Sequence, residues 1–96
     1  MLRIGIIGIT GRMGRAVLEA AASARDIVVV AGFVRPGRDI VALRQTLPPS
    51  LSLTDALPDF MRLVEVAIDF SQPDLTLATA RAAAASSVPL VTGTTG

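Results

Sequence analysis

Gly8, Gly11 and Gly14 are spaced three apart in the run Gly8-Ile9-Thr10-Gly11-Arg12-Met13-Gly14, where an apolar segment gives way to one of helical periodicity. The chemistry such a run supports is the binding of a phosphate anion. Gly8 allows a tight turn, Gly11 lets backbone approach a pyrophosphate, and Gly14 lets a helix pack on a strand. The N-terminus of that helix then offers free N–H groups to the anion. The order departs from the strict G-x-G-x-x-G fingerprint, and a plain strand-to-helix turn can use the same letters. Position favours the phosphate reading, because the run ends one element and starts the next.

A second group of residues bears on the same site. In many dinucleotide sites an acid ends the second strand and accepts hydrogen bonds from the ribose hydroxyls, favouring NAD. Val34 stands there in this chain, followed by Arg35, with Arg38 and Arg12 near by. Guanidinium groups suit the 2′-phosphate of NADP through charge-assisted hydrogen bonds. The expected cofactor is therefore NADPH or NADH, with NADPH favoured; read singly, each Arg is equally a solvated surface residue.

The residue inventory excludes much other chemistry. His and Cys are absent, and so is Lys, since all nine basic residues are Arg. No thiolate, imidazole or ammonium is available, so acid–base work would fall to carboxylates. Asp69, at the end of an apolar run, is the obvious one, but an acid there can equally cap the following loop or helix, and the structural role is preferred. No catalytic residue and no metal ligand is assigned. Three Phe without Trp or Tyr, and nine Arg against eight acids, argue against a nucleic-acid partner. The opening MLRIGIIGIT is too short to span a bilayer, so a cytoplasmic protein without a membrane partner is expected.

The elements that must position these residues alternate in type. Leu2 to Gly8 is an apolar run, as in a parallel strand covered on both faces, and from Arg12 to Ala24 the residues Met13, Val17, Leu18 and Ala21 recur at helical spacing. Ile27 to Val34 is a second strand, stopped by Pro36 and Gly37. Residues 38–50 read as a loop with one helical turn, Leu51 to Leu53 as a short strand, and Thr54 to Leu57 as a helical turn capped by Thr54 or Asp55. Glu65 to Phe70 is another buried strand. An Ala-rich helix follows, with Pro73 and Asp74 in its first turn and Leu75, Ala78, Ala82 and Ala85 on one face; Val88 to Val91 is a last strand. The predicted fold class is α/β: a Rossmann-type, doubly wound, mostly parallel sheet, with ligands beyond the carboxyl ends of the strands. At 96 residues it makes one small domain.

With Gly8 to Arg15, Ile68-Asp69-Phe70-Ser71-Gln72-Pro73 and Gly93-Thr94-Thr95-Gly96 in this order, the chain resembles the 4-hydroxy-tetrahydrodipicolinate reductases, also called dihydrodipicolinate reductases, over nearly its whole length. Thr10 and Ser71 are conservative departures from the family pattern, and Val34 replaces a common acid. The resemblance implies an enzyme of lysine and diaminopimelate biosynthesis that reduces a cyclic imine-type dicarboxylate with hydride from NADPH or NADH, as a homo-oligomer when complete. It implies that Gly8, Ile9, Thr10, Gly11, Arg12 and Met13 hold the pyrophosphate, and Arg12 and Arg35 the adenosine side. Phe70 would lie near the nicotinamide, Gly93, Thr94 and Thr95 would contact its ribose or amide, and Thr95 would touch the substrate. Read alone, Gly93 to Gly96 is a turn or a terminus. The family's His-rich motif, general-acid Lys and dicarboxylate-binding groups belong to a second domain, so residues 1–96 are expected to be the N-terminal NAD(P)-binding domain of a truncated chain. The competing readings are an atypical short-chain-type NAD(P)-binding reductase, whose Tyr-x-x-x-Lys pair is missing, a non-catalytic NAD(P)-binding module, and a fragment with an exposed sheet edge.

Overall fold

The computed structural model describes residues 1–93. The chain runs β1 (Leu2–Ile7), α1 (Arg12–Ala22), β2 (Ile27–Phe33), α2 (Ile40–Arg44), β3 (Ser52–Thr54), α3 (Leu57–Leu63), β4 (Val66–Asp69), α4 (Pro73–Ala85), β5 (Leu90–Thr92). The five strands form one sheet in the order β3-β2-β1-β4-β5, and every pairing is parallel. The chain builds outward from β1 through β2 to β3, then returns to the other side of β1 for β4 and β5. That reversal opens a crevice at the carboxyl end of β1, the place where open α/β sheets take their ligands.

Successive residues of β1 face opposite sides of the sheet, and because helices cover both faces residues 4–7 are all buried. Ile6 joins Ile9, Val34, Leu47 and Leu51, with Val17 and Leu18 of α1 against them. Ile7 points the other way, into a cluster with Ala31, Phe33, Phe60, Met61, Val64, Ala67 and Ala83 beneath α3 and α4. The Phe33 and Phe60 rings meet edge to face with centroids 6.3 Å apart. The sheet is doubly wound, as the alternation of elements predicts.

Four elements depart from the expectations. Helix α3 begins where the predicted turn over Thr54 to Leu57 ends. Thr54 closes β3, and its hydroxyl accepts a hydrogen bond from Ala56 N at 3.2 Å instead of capping a helix. Only Phe60 and Met61 of α3 are buried, too short a stripe to show as periodicity. Phe60 fits because β1 has Gly5 opposite it: a Cβ there would stand 2.5 Å from the Phe60 ring and 2.5 Å from a Val64 methyl. On α4 Leu75 and Ala82 of the expected face pack against the core, but the fully buried residues are Thr79 and Ala83, and Ala78 and Ala85 are exposed. Thr79 can be buried because its hydroxyl donates to the Leu75 carbonyl at 2.9 Å, so a polar residue joins the inward stripe. Met13 is exposed on the first turn of α1, and β5 starts at Leu90 rather than Val88.

Candidate functional site

The glycine run forms the turn from β1 into α1. Gly8 adopts φ +85, a left-handed conformation that side chains rarely tolerate, and a Cβ there would also lie 3.0 Å from the Phe70 carbonyl. The Gly11 N–H donates to the Gly8 carbonyl at 3.0 Å and closes the turn. Gly14 lies where α1 crosses the start of that turn: a Cβ would collide with the Gly8 carbonyl oxygen and stand 2.9 Å from Ile9 Cα. Fold geometry alone therefore requires glycine at 8 and 14.

Gly11 is different. It is the N-cap of α1 at φ −82 and ψ 173, open to any residue, and a Cβ would meet nothing nearer than the Gly8 oxygen at 3.4 Å. No side chain caps α1, and its first turn carries no acid. The N-terminus of an eleven-residue helix thus stays uncapped at its positive end, with its N-cap Gly11 on the lining of a cleft.

That cleft, about 190 Å³, lies beyond the carboxyl ends of β1, β2 and β4. Gly8, Thr10 and Gly11 form its floor, Phe33, Val34, Arg35 and Arg38 line the β2 side, and Phe70, Ser71, Gln72 and Leu75 line the β4 side. Of the residues assigned from sequence it brings together Gly8, Thr10, Gly11, Arg35 and Phe70. Ile9 turns its side chain into the core beside Val34, leaving only its backbone toward the turn. Arg12 and Met13 are exposed on α1 and outside the cleft lining. Gly93 packs beneath the Phe70 ring, where a Cβ would approach to 2.7 Å, and donates its N–H to the Asp69 carbonyl at 2.8 Å. Thr94 and Thr95 lie outside the described residues.

Asp69 is fully buried at the end of β4, and its partners show what it does. Its carboxylate accepts from Ser71 N at 2.8 Å, from the Ser71 hydroxyl, and from the Thr76 hydroxyl at 2.7 Å. It ties the loop after β4 to the first turns of α4 and so sets the β4 wall of the cleft, the structural role expected for it.

One contact has no counterpart in the sequence reading. Both terminal nitrogens of Arg35 donate to Asp74, Nη1 to Oδ2 at 3.1 Å and Nη2 to Oδ1 at 3.0 Å. The pair is exposed, at 45% and 69% for the two side chains, and joins the loop after β2 to the first turn of α4. Hydrogen bonds from Arg35, aided by its charge, hold the Asp74 carboxyl below the ordinary carboxylate range, and the same hydrogen bonds and charge raise Arg35. The signal in the sequence was only that both residues follow strands of one parallel sheet.

Comparison with known proteins agrees with this architecture. The family model described as dihydrodipicolinate reductase, N-terminus, matches residues 2–96. The 4-hydroxy-tetrahydrodipicolinate reductase of Thermomicrobium roseum is 51% identical over 96 residues, which are all of this chain and 37% of that protein. The corresponding reductase of Myxococcus xanthus is 37% identical over 103 residues, again all of this chain and 38% of its own length. The chain thus spans a little over a third of the relatives it matches. In fold it is similar to the dipicolinate-bound dihydrodipicolinate reductase of a Paenisporosarcina species, with TM-score 0.81 and 21% identity over 100% of this chain and 38% of that one. A Plasmodium falciparum pyrroline carboxylate reductase with NADP bound superposes with TM-score 0.67 at 16% identity, over 97% of this chain and 33% of that one. With a family model matched from residue 2 to residue 96 and relatives aligned along its whole length, the chain belongs to the dihydrodipicolinate reductase family and corresponds to its N-terminal region.

Proposed function

We propose that residues 1–96 form the NAD(P)H-binding domain of a reductase that converts 4-hydroxy-tetrahydrodipicolinate to tetrahydrodipicolinate in lysine and diaminopimelate biosynthesis. The observation that carries the cofactor half of this reading is Gly11. The fold gives no steric reason for glycine there, whereas a pyrophosphate approaching the uncapped N-terminus of α1 does. The cleft offers neutral backbone donors at the turn and cations at the β2 end, the polarity a dinucleotide phosphate chain requires.

In this reading Gly8, Ile9, Thr10 and Gly11 meet the pyrophosphate through backbone, Arg12 and Met13 flank it, and Arg35 faces the adenosine ribose, with NADPH preferred. Phe70 and Gly93 face the nicotinamide end, and the family resemblance assigns Thr94 and Thr95 contacts with the nicotinamide ribose or amide and Thr95 one with the substrate. The bound dinucleotide supplies the hydride; this chain binds and orients it. Among the described side chains lining the cleft the only ionic ones are Arg35 and Arg38, neither a carboxylate nor an imidazole, so in this reading proton delivery and recognition of the dicarboxylate fall to other parts of a complete, homo-oligomeric cytoplasmic enzyme.

Titration of the purified protein with NADPH and NADH, followed by nucleotide fluorescence and calorimetry at fixed salt, tests the cofactor reading. Saturable binding that disappears in Gly11→Asp supports it; a folded protein that binds neither refutes it. Loss of nicotinamide absorbance on adding the imine substrate to the complete protein tests the reaction.

A further inference from the structure

We propose that Asp74 is a specificity-determining residue, whose carboxylate occupies the Arg35 fork and so competes with the 2′-phosphate of NADPH for it. The inference rests on the nucleotide reading above and deepens it. Val34 is buried and apolar where a ribose-binding acid often stands, which leaves Arg35 as the adjacent polar group. Its two terminal nitrogens are both engaged by Asp74, at 3.1 and 3.0 Å. The Nη1/Nη2 edge of a guanidinium pairs end-on with one carboxylate or one phosphate at a time, so Asp74 and a phosphate compete for that edge.

Topology places the pair in the cofactor's path. Arg35 follows β2 and Asp74 follows β4, while β1 lies between them, so the ion pair spans the carboxyl end of β1 above the glycine turn. A dinucleotide crossing the switch point must open it. NADPH then replaces the carboxylate with its phosphate but leaves the negative charge of Asp74 near by. NADH brings ribose hydroxyls, which can donate to that carboxylate, and Asp74 supplies the acid that position 34 lacks. Both partners are exposed, so the pair exchanges readily and contributes to discrimination more than to folding. An Asp carboxyl is ionised at neutral pH, and Arg35 favours that form further, so the competition operates under working conditions.

The test is the ratio of NADH to NADPH dissociation constants, measured by calorimetry at one ionic strength for the parent, Asp74→Asn, Arg35→Gln and the double variant, with circular dichroism to verify folding. Asp74→Asn should move the ratio toward NADPH by about three- to fivefold, the size of an exposed ion pair, and Arg35→Gln should remove that effect. Asp74→Ser, which also removes the charge, should reproduce the shift. An unchanged ratio in both Asp74 variants, or a shift that persists undiminished without Arg35, overturns the inference while dinucleotide binding stands. Failure of the folded parent to bind either cofactor overturns the nucleotide reading, and this inference with it.

Discussion

Replacing Gly11 with Asp should stabilise the protein while abolishing dinucleotide binding, an opposition that separates a ligand-required glycine from a fold-required one. At φ −82 and ψ 173 the residue already has ordinary N-cap geometry, and a Cβ meets only the Gly8 oxygen at 3.4 Å, so the substitution introduces no strain. An Asp side chain would accept from first-turn N–H groups of α1 that no side chain caps, and its charge would favour the helix dipole. Capping in place of Gly is worth a few tenths of a kcal/mol, the dipole about 0.3–1 kcal/mol, and the stiffer unfolded chain about 0.4–1 kcal/mol. These do not add fully, so about 0.5–1 kcal/mol net is expected. For a domain of this size that raises Tm by about 2–8 °C, measurable by thermal circular dichroism without ligand. The same carboxylate would occupy the anion position and repel a pyrophosphate, so affinity for NADPH should fall at least about tenfold, or about 1.4 kcal/mol. A Tm lowered by several degrees would show that the turn itself requires glycine at 11. An unchanged dissociation constant would show that the phosphates do not approach this helix.

Other substitutions test the rest of the scaffold. Gly14→Ala drives a methyl into the Gly8 carbonyl and to 2.9 Å from Ile9 Cα, so chemical denaturation should show a loss of about 1–3 kcal/mol or more. Phe60→Ala empties the space beneath Gly5 and should cost about 3–5 kcal/mol, seen as a lower urea midpoint with unchanged slope. Asp69→Ala leaves Ser71 N and the Thr76 hydroxyl without their buried acceptor, at about 1–3 kcal/mol, and should loosen the β4 wall as faster amide exchange at Ser71. Because the Asp74 pKa is depressed in the folded chain, its stabilising interaction is fully present above the unfolded carboxylate value of about 3.9 and is lost as pH falls through the lower folded value. An NMR titration of its carboxyl carbon should therefore have its midpoint below that value, and Arg35→Gln should raise it.

Strands β1, β2 and β4 were legible because parallel strands covered on both faces appear as apolar runs, and the glycine turn because its spacing falls between such a run and a helical period. What escaped depends on contacts across the sheet. Helix α3 carries only Phe60 and Met61 inward, and its packing partner is a missing side chain, Gly5, which leaves no trace in a hydropathy pattern. The face of α4 was legible at Leu75 and Ala82 but not at Thr79 and Ala83, because Thr79 is polar in type yet satisfied by its own helix. Arg35 and Asp74 are 39 residues apart and meet only because β1 sits between the strands that precede them, an order the alternation of elements does not specify.

The glycines also divide the site by cause, which a motif alone cannot do. A positive φ explains Gly8 and a backbone collision explains Gly14, so both would be needed in a turn that bound nothing. Gly11 has neither reason, and it is the α1 N-cap that lines the cleft. A fold that merely needed a sharp turn would gain stability from Asp, Ser or Asn at that position, because each would cap α1. Under the proposed function an anion takes the place of such a cap, its oxygens filling the same hydrogen-bonding positions and its bulk leaving no room for a Cβ. The glycine turn is then evidence for a ligand to the extent that it is thermodynamically suboptimal for the empty fold, which is the quantity the Gly11 substitution measures.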